Sequence, residues 1–248
     1  MVNYMFTKNE VRDLLISILV LTFIFAFDDQ NSIFIFEDWI LNFLEILIII
    51  LIVVLFRELV IKFFASRHEV ISEYRLWNVE RLWFGGSGKL PFTFPFGVIA
   101  SLILTVVSRG NFYFTAIGVH NLTENKSART GRKKPGLSYF EEMQIACSGI
   151  FSTLVLAIIF VLLGRALDFN ITSIVNICFF IVLFNMIPLS DLDGAKIFFG
   201  SILTYIFLLV FIIAAFVLMK ISIILALVVG FILAILITLT YFYKVNYK

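Results

Sequence analysis

The stretch Asn185-Met186-Ile187-Pro188-Leu189-Ser190-Asp191-Leu192-Asp193-Gly194 lies between two long apolar runs of the chain. It places two carboxylates, Asp191 and Asp193, at or near the edge of a membrane. A charged side chain in that position is costly and usually has a partner or a function. The partner that we expect is Arg57-Glu58, the other dense charged cluster beside an apolar run. It directly follows the apolar run 40–56. These two places decide what kind of site the chain carries.

The composition is that of an integral membrane protein. The 248 residues are 61% hydrophobic and only 15% charged, and the mean hydropathy is +1.06. Because about a quarter of an ordinary soluble domain is charged, this chain has too little polarity to cover a soluble surface. The net charge of +2 argues against an extended nucleic-acid surface. Cys147 and Cys178 lie in apolar runs without a C-x-x-C motif, which favours two small buried hydrophobic residues.

The apolar runs predict an all-α polytopic membrane protein. Residues 66–89 predict a short strand or hairpin, and residues 92–119 predict a hairpin, a re-entrant segment, or one span with an interfacial strand. We expect three units: an N-terminal helix with an acidic loop (1–39), a membrane core (40–200) and a C-terminal transmembrane hairpin (201–248). Six transmembrane helices are expected, at residues 11–27, 40–56, 143–163, 172–189, 197–219 and 221–242.

Positive charge predicts the topology, because Lys and Arg are enriched in cytoplasmic loops. The acidic loop 28–38 belongs outside, and both termini are expected in the cytoplasm. The basic loop 126–134 is a topology determinant or contacts anionic lipid head groups. Arg57-Glu58 and the two aspartates then fall at cytoplasmic helix ends and can meet at one depth. The segments assigned to the cytoplasm are Lys8/Arg12, 57–89, 126–134 and Lys244/Lys248.

The pattern Asn185-x-x-Pro188-x-x-x-Leu192-Asp193-Gly194 resembles the N-x-x-P-x-x-x-L-D-G signature of the site-2 proteases, which are intramembrane zinc metalloproteases. Residues 73–77 are similar to the strand segment that archaeal members carry after their H-E-x-x-H helix. Ser148-Gly149-Ile150 followed by Thr153 resembles a worn A-G-P-x-x-N element of the family's middle core helix. The resemblance covers about residues 40 to 200 and implies a site-2-protease-like membrane core there.

The resemblance implies which positions would form a metal site. In the family, the Asp of L-D-G and the two histidines of H-E-x-x-H bind zinc, and the Glu is the general base. The equivalent helix here is residues 56–65, so Glu58 stands at the base position and Asp193 at the third ligand position. Arg57 and Ile61 stand where the two histidines should be.

This departure argues against zinc and against hydrolysis in the family's manner, and we expect no cofactor. A catalytic zinc site needs three protein ligands and an open position for water. Neither an arginine nor an isoleucine supplies a lone pair, and without the metal nothing lowers the pKa of an attacking water. His68 and His120 could in principle replace the ligands, but their positions favour exposed or interface histidines.

An electrostatic replacement is our hypothesis for Arg57. Losing the metal leaves two carboxylates in a region of low dielectric constant, and a guanidinium supplies charge and hydrogen bonds for them. Arg57 would bond Asp193 or Asp191, Glu58 would share Arg57 or pair with Lys62, and Ile61 would fill the emptied volume. The simpler alternative is that Arg57 only extends to the membrane interface.

Three functions remain open on this sequence. The first is a catalytically inactive pseudoprotease that binds a transmembrane segment or a partner protein within the lipid bilayer. The second is an active intramembrane zinc metalloprotease with non-standard ligands. The third is a small transporter in which Glu45, Glu58 and the aspartates line a path, although no paired repeat is visible in the two halves.

Overall fold

The structure is a computed structural model that describes residues 6–28, 35–81, 89–125, 136–167, 172–219 and 221–246. Helices dominate these residues, and four short strands form two two-stranded sheets. The helices are α1 (Lys8–Ala26), α2 (Phe36–Arg67), α3 (Phe96–Val107), α4 (Tyr139–Leu167), α5 (Thr172–Asn185), α6 (Asp193–Gly200), α7 (Ile202–Met219) and α8 (Ile223–Asn246). The strands are β1 (Val70–Leu76), β2 (Val79–Arg81), β3 (Lys89–Phe94) and β4 (Gly118–Glu124). The basic loop at 126–134 lies outside the described residues.

The protein is an α-helical membrane protein. Within the described ranges, four helices are long and apolar enough to cross a membrane: Phe36–Arg67, Tyr139–Gly164, Ile202–Met219 and Ile223–Val245. Two shorter apolar helices, Phe96–Val107 and Thr172–Asn185, accompany them. The predicted span at 11–27 corresponds to α1, whose first turns carry buried Glu10 and Asp13. The number of crossings stays a prediction.

Helix α2 is one continuous helix of 32 residues, as its unbroken apolar pattern predicted. Neither Gly nor Pro interrupts it. It ends at Arg67 with His68 as its C-cap, and the next residue, Glu69, has a φ of 58° that turns the chain into β1. Arg57 therefore lies ten residues before the end of the helix rather than at its end.

Two helix boundaries predicted near the N-x-x-P pattern are wrong. Helix α5 ends at Asn185 rather than continuing to 189, because Pro188 has no N–H to continue the helical hydrogen bonds. The predicted span 197–219 is also wrong at its start. The chain is extended at Ser201 (φ −166°, ψ 113°), so that α6 and α7 are separate helices and the long apolar helix begins at Ile202.

The strands give residues 66–125 their path. Strand β1 pairs antiparallel with β4, and Tyr74 lies opposite His120 in this register. Strand β2 pairs with β3. The predicted strand in 66–89 is therefore present, and residues 92–119 form the end of β3, the short helix α3 and the start of β4. Strand β1 of the β1–β4 sheet packs against α1 and α2.

The C-terminal segment forms two helices, α7 and α8, that pack against each other. Its inner side chains, such as Phe211, Ala215 and Phe216, are buried. Much of α8 faces outward with large apolar side chains such as Ile224, which is 77% exposed. An exposed apolar surface of this kind suits contact with lipid.

Candidate functional site

The centre of the candidate site is an ion pair between Arg57 on α2 and Asp193 at the start of α6. Both side chains are buried, with 8% and 2% of their surface exposed. The second guanidinium nitrogen, Nη1, lies 3.5 Å from Oε1 of Glu58. The predicted pairing of Arg57 with Asp193 is confirmed. Asp191 is exposed and does not take this place. Because Arg57 is buried against carboxylates, the interpretation that it only extends to the membrane interface is wrong.

His120 completes the cluster, and its predicted exposure is wrong. The residue is only 4% exposed. Its Nε2 lies 2.9 Å from Oε1 of Glu58, and its Nδ1 lies 3.3 Å from Oδ1 of Asp193. Strand β4 carries His120 inward, since it pairs with β1 and the sheet packs against α1 and α2. The sequence signal for this strand was weak, because Val119 and Thr123 are its only β-branched residues.

The charges of the cluster explain the direction of two pKa shifts. Burial alone would raise the pKa of Asp193, but Arg57 and His120 outweigh it and hold this pKa well below its usual range. Burial alone would lower the pKa of His120, but Glu58 and Asp193 outweigh it and raise this pKa. With His120 protonated, two cationic and two anionic side chains balance. The cluster is therefore electrically neutral when it holds that proton.

Lys196 on α6 connects the cluster to the sheet. Its Nζ donates a hydrogen bond to the backbone carbonyl of His120. Burial lowers the pKa of Lys196, and Asp193 and Asp191 act in the opposite direction. The same helix thus supplies the carboxylate that contacts the imidazole and the ammonium group that binds its backbone.

Ile61 fills the space beside Arg57, as the replacement hypothesis expected. It is 1% exposed and packs against Gly149 in the middle of α4. A Cβ added at Gly149 would lie 2.7 Å from Cδ1 of Ile61 and 3.4 Å from Nε of Arg57. The glycine therefore lets α4 approach α2 at the level of the ion pair.

The N-x-x-P stretch positions Asp193. The Nδ2 of Asn185 donates to the carbonyl of Ile181 at 2.7 Å and closes the end of α5. Gly194 packs against the backbone carbonyl of Met186, where a Cβ would collide. Leu192 is fully buried, and Asp193 begins α6, where the positive end of the helix dipole favours a carboxylate.

A second buried ion pair lies between Glu10 on α1 and Lys62 on α2, with Nζ 2.7 Å from Oε1. The predicted pairing of Lys62 with Glu58 is therefore wrong. Glu10 also accepts the backbone N–H of Tyr74 at 3.1 Å, and Lys62 donates to the carbonyl of Ser72 at 3.0 Å. These contacts join α1, α2 and β1. The sequence gives no local sign of this ion pair, because Glu10 lies 52 residues before Lys62.

The remaining polar residues named from the sequence are the two cysteines, Glu45 and His68. Cys178 is fully buried and Cys147 is half-buried, and both are free thiols. Glu45 is on the exposed side of α2. His68 follows the last residue of α2 and lies on a groove between α2 and α4 rather than in the cluster.

The cluster does not fit a zinc site. Glu58 and Asp193 contact opposite nitrogens of the same imidazole, so one ion cannot reach all three groups in this arrangement. The guanidinium of Arg57 also holds the oxygen of Asp193 that a cation would need. Among the residues that the structure describes, no group of three or more His, Cys, Asp or Glu side chains is arranged to hold a metal ion.

Comparisons with known proteins add no relative. No protein-family model matches this chain, and neither a curated protein nor a solved structure matches it.

Proposed function

We propose that the protein is a non-catalytic relative of the site-2 proteases that binds a transmembrane segment or a partner protein in the bilayer. The observation that carries the proposal is the buried ion pair between Arg57 and Asp193. Residues 40–200 would then form a site-2-protease-like core within six transmembrane helices, with both termini in the cytoplasm.

The contacts of Glu58 support the loss of hydrolysis. A general base must reach the proton that it removes and have a pKa suited to the task. Glu58 is 1% exposed, and its carboxylate faces His120 at 2.9 Å and Arg57 at 3.5 Å. A carboxylate that is buried and held by these two neighbours is not positioned to take a proton from an attacking water.

The outer surface of α2 supports a partner within the membrane. Three charged residues of its second half, Arg57, Glu58 and Lys62, face inward. Leu59 and Phe63 face outward with 55% and 47% of their surface exposed. A helix of a partner can pack against such a surface in place of lipid, as helices in membranes associate through close packing.

Two measurements test this proposal together. Purified protein is incubated with transmembrane peptides and assayed for cleavage, and its neighbours in native membranes are identified by cross-linking. We expect no cleavage that depends on Glu58, and a reproducible cross-linked partner helix whose yield falls when Leu59→Arg or Phe63→Arg is introduced. Cleavage that disappears in Glu58→Gln would contradict the proposal, and so would cross-linking that these arginines leave unchanged.

A second candidate function is favoured by the position of His120. One imidazole and two carboxylates lie together, but an active zinc protease would require Arg57 to release Asp193 and the imidazole to turn, so that one of its nitrogens and both carboxylates face the same ion. That enzyme would need His120 for activity. Zinc-dependent cleavage that is lost in His120→Ala and kept in His68→Ala would establish it over the first proposal.

A further inference from the structure

A groove of about 810 Å³ separates the outer faces of α2 and α4. Phe56, Val60 and Phe64 form its α2 wall, and Phe151 and Val155 form much of its α4 wall. Between them, Cys147 and Ser148 leave the groove deep because they are small. The four residues of the ion-pair cluster, Arg57, Glu58, His120 and Asp193, are not among those that line the groove.

The groove has the length of one membrane leaflet. From Phe56 to Arg67 the helix rises about 16 Å, and from Val155 to Gln144 on α4 it rises by the same amount. The hydrocarbon core of a bilayer is about 30 Å thick, so one leaflet contributes about 15 Å. A transmembrane helix of a partner would need the full thickness. The chains of a single phospholipid need only one leaflet.

The most polar residues of the groove lie at one of its ends. Its cationic residue, Arg67, lies at the end of α2, together with His68 and Gln144, while the rest of the lining is apolar, thiol or hydroxyl. The guanidinium of Arg67 lies over the ring of Phe63, 5.1 Å from its centre, at the rim. Among the described residues that line the groove, no carboxylate opposes this charge. A phosphate is the group that such an end attracts.

We propose that this groove binds one anionic phospholipid, with its acyl chains between α2 and α4 and its phosphate at Arg67. His68 and Gln144 add hydrogen-bond donors to the phosphate. The proposal does not depend on the function proposed above, since neither Arg57 nor Glu58 is among the residues that line the groove.

Native mass spectrometry of the full chain with phosphatidylglycerol or phosphatidylcholine tests whether the groove prefers an anionic lipid through the charge of Arg67. We expect one tightly bound phosphatidylglycerol and weaker binding of phosphatidylcholine. Arg67→Gln should reduce the affinity for phosphatidylglycerol about fivefold, and the matched control Arg75→Gln, on β1 outside the groove, should leave it unchanged. Equal binding of the two lipids, or equal losses in the two variants, would overturn the proposal.

The place of binding is tested with phosphatidylglycerol that carries a photoreactive diazirine in its acyl chain. Cross-links should map to 56–68 and 144–155 and decrease in Val60→Trp, which fills the groove while keeping Arg67. Cross-links spread evenly over α8, whose apolar surface is also exposed, would show only bulk lipid and overturn the site. A partner helix that cross-links to position 60 and excludes the lipid would also overturn it.

Discussion

The Nε2 of His120 lies 2.9 Å from Oε1 of Glu58, although 62 residues separate them in the chain. This contact ties strand β4 to helix α2, and the Nδ1 of the same imidazole, 3.3 Å from Asp193, ties both to α6. Three segments thus meet on one side chain. The fold at the cluster depends on charges that balance each other, because none of these groups is exposed to water.

Arg57→Met is expected to destabilise the protein strongly. Removing one partner of a buried ion pair leaves an uncompensated charge and costs about 3–5 kcal/mol. The matched control is Arg75→Met, which removes a half-exposed pair with Glu73 and should cost about 0–1 kcal/mol. Thermal unfolding in detergent measures both variants.

A double-mutant cycle decides whether Asp193 is the partner that matters. Asp193→Asn removes the anion that Arg57→Met would leave unpaired, so the double variant should be more stable than the sum of the single losses predicts. Additive losses for this pair would mean that the ion pair contributes nothing specific.

Stability should decrease as the pH rises above about 6.5. Glu58 and Asp193 raise the pKa of His120 in the folded protein above the ordinary value of 6.5. The stabilisation is therefore complete below pH 6.5 and disappears as the pH passes the folded pKa. His120→Gln should remove this slope, and His68→Gln should keep it. Melting temperatures of the three proteins over that pH range provide the measurement, and parallel slopes for all three would count against His120.

Gly149→Ala should destabilise the protein, and Ile61→Val should partly rescue it. The added methyl would meet Cδ1 of Ile61 at 2.7 Å, and overpacking of this kind costs about 1–3 kcal/mol. The control is Gly230→Ala on α8, where the nearest atom is 3.4 Å away and the helix gains about 0.8–1.0 kcal/mol in propensity. If Gly149→Ala and Gly230→Ala raise the melting temperature equally, α2 and α4 do not approach each other as described.

Lys62→Met should loosen α1 from the rest of the protein. Glu10 is fully buried and would lose the ammonium group that lies 2.7 Å away. We expect a loss of about 3–5 kcal/mol. The exposed Lys8 offers a control, since Lys8→Met removes the same charge without breaking a buried pair. Protease sensitivity of α1 and the melting temperature report the difference, and similar values for Lys62→Met and Lys8→Met would refute the role of this pair.

The sequence predicted the helices well where apolar runs are long. It also predicted the meeting of Arg57 and Asp193, because two charged places beside apolar segments need each other. The partners of His120 and Lys62 escaped prediction for one physical reason. The β1–β4 sheet brings His120 to its partners, and the packing of α1 brings Glu10 to Lys62. Both are non-local contacts. The spacing of charges along a helix indicates only pairs that are three or four residues apart.

The helix boundaries at Asn185 and Ser201 were not predicted, for a different reason. Hydropathy marks where a segment can enter a membrane, but the end of a helix depends on local backbone hydrogen bonds. Pro188 can be read directly from the sequence, but the extended conformation of Ser201 cannot.

The most direct test of the account is the zinc content of the purified chain, measured by mass spectrometry of the metal together with its melting temperature with added zinc and with a chelator. The variant Arg57→His/Ile61→His, which restores the H-E-x-x-H pattern before Asp193, serves as the zinc-binding control. We expect far less than one zinc per chain and a melting temperature that neither zinc nor the chelator changes. About one zinc per wild-type chain, with a melting temperature that falls on chelation, would contradict it.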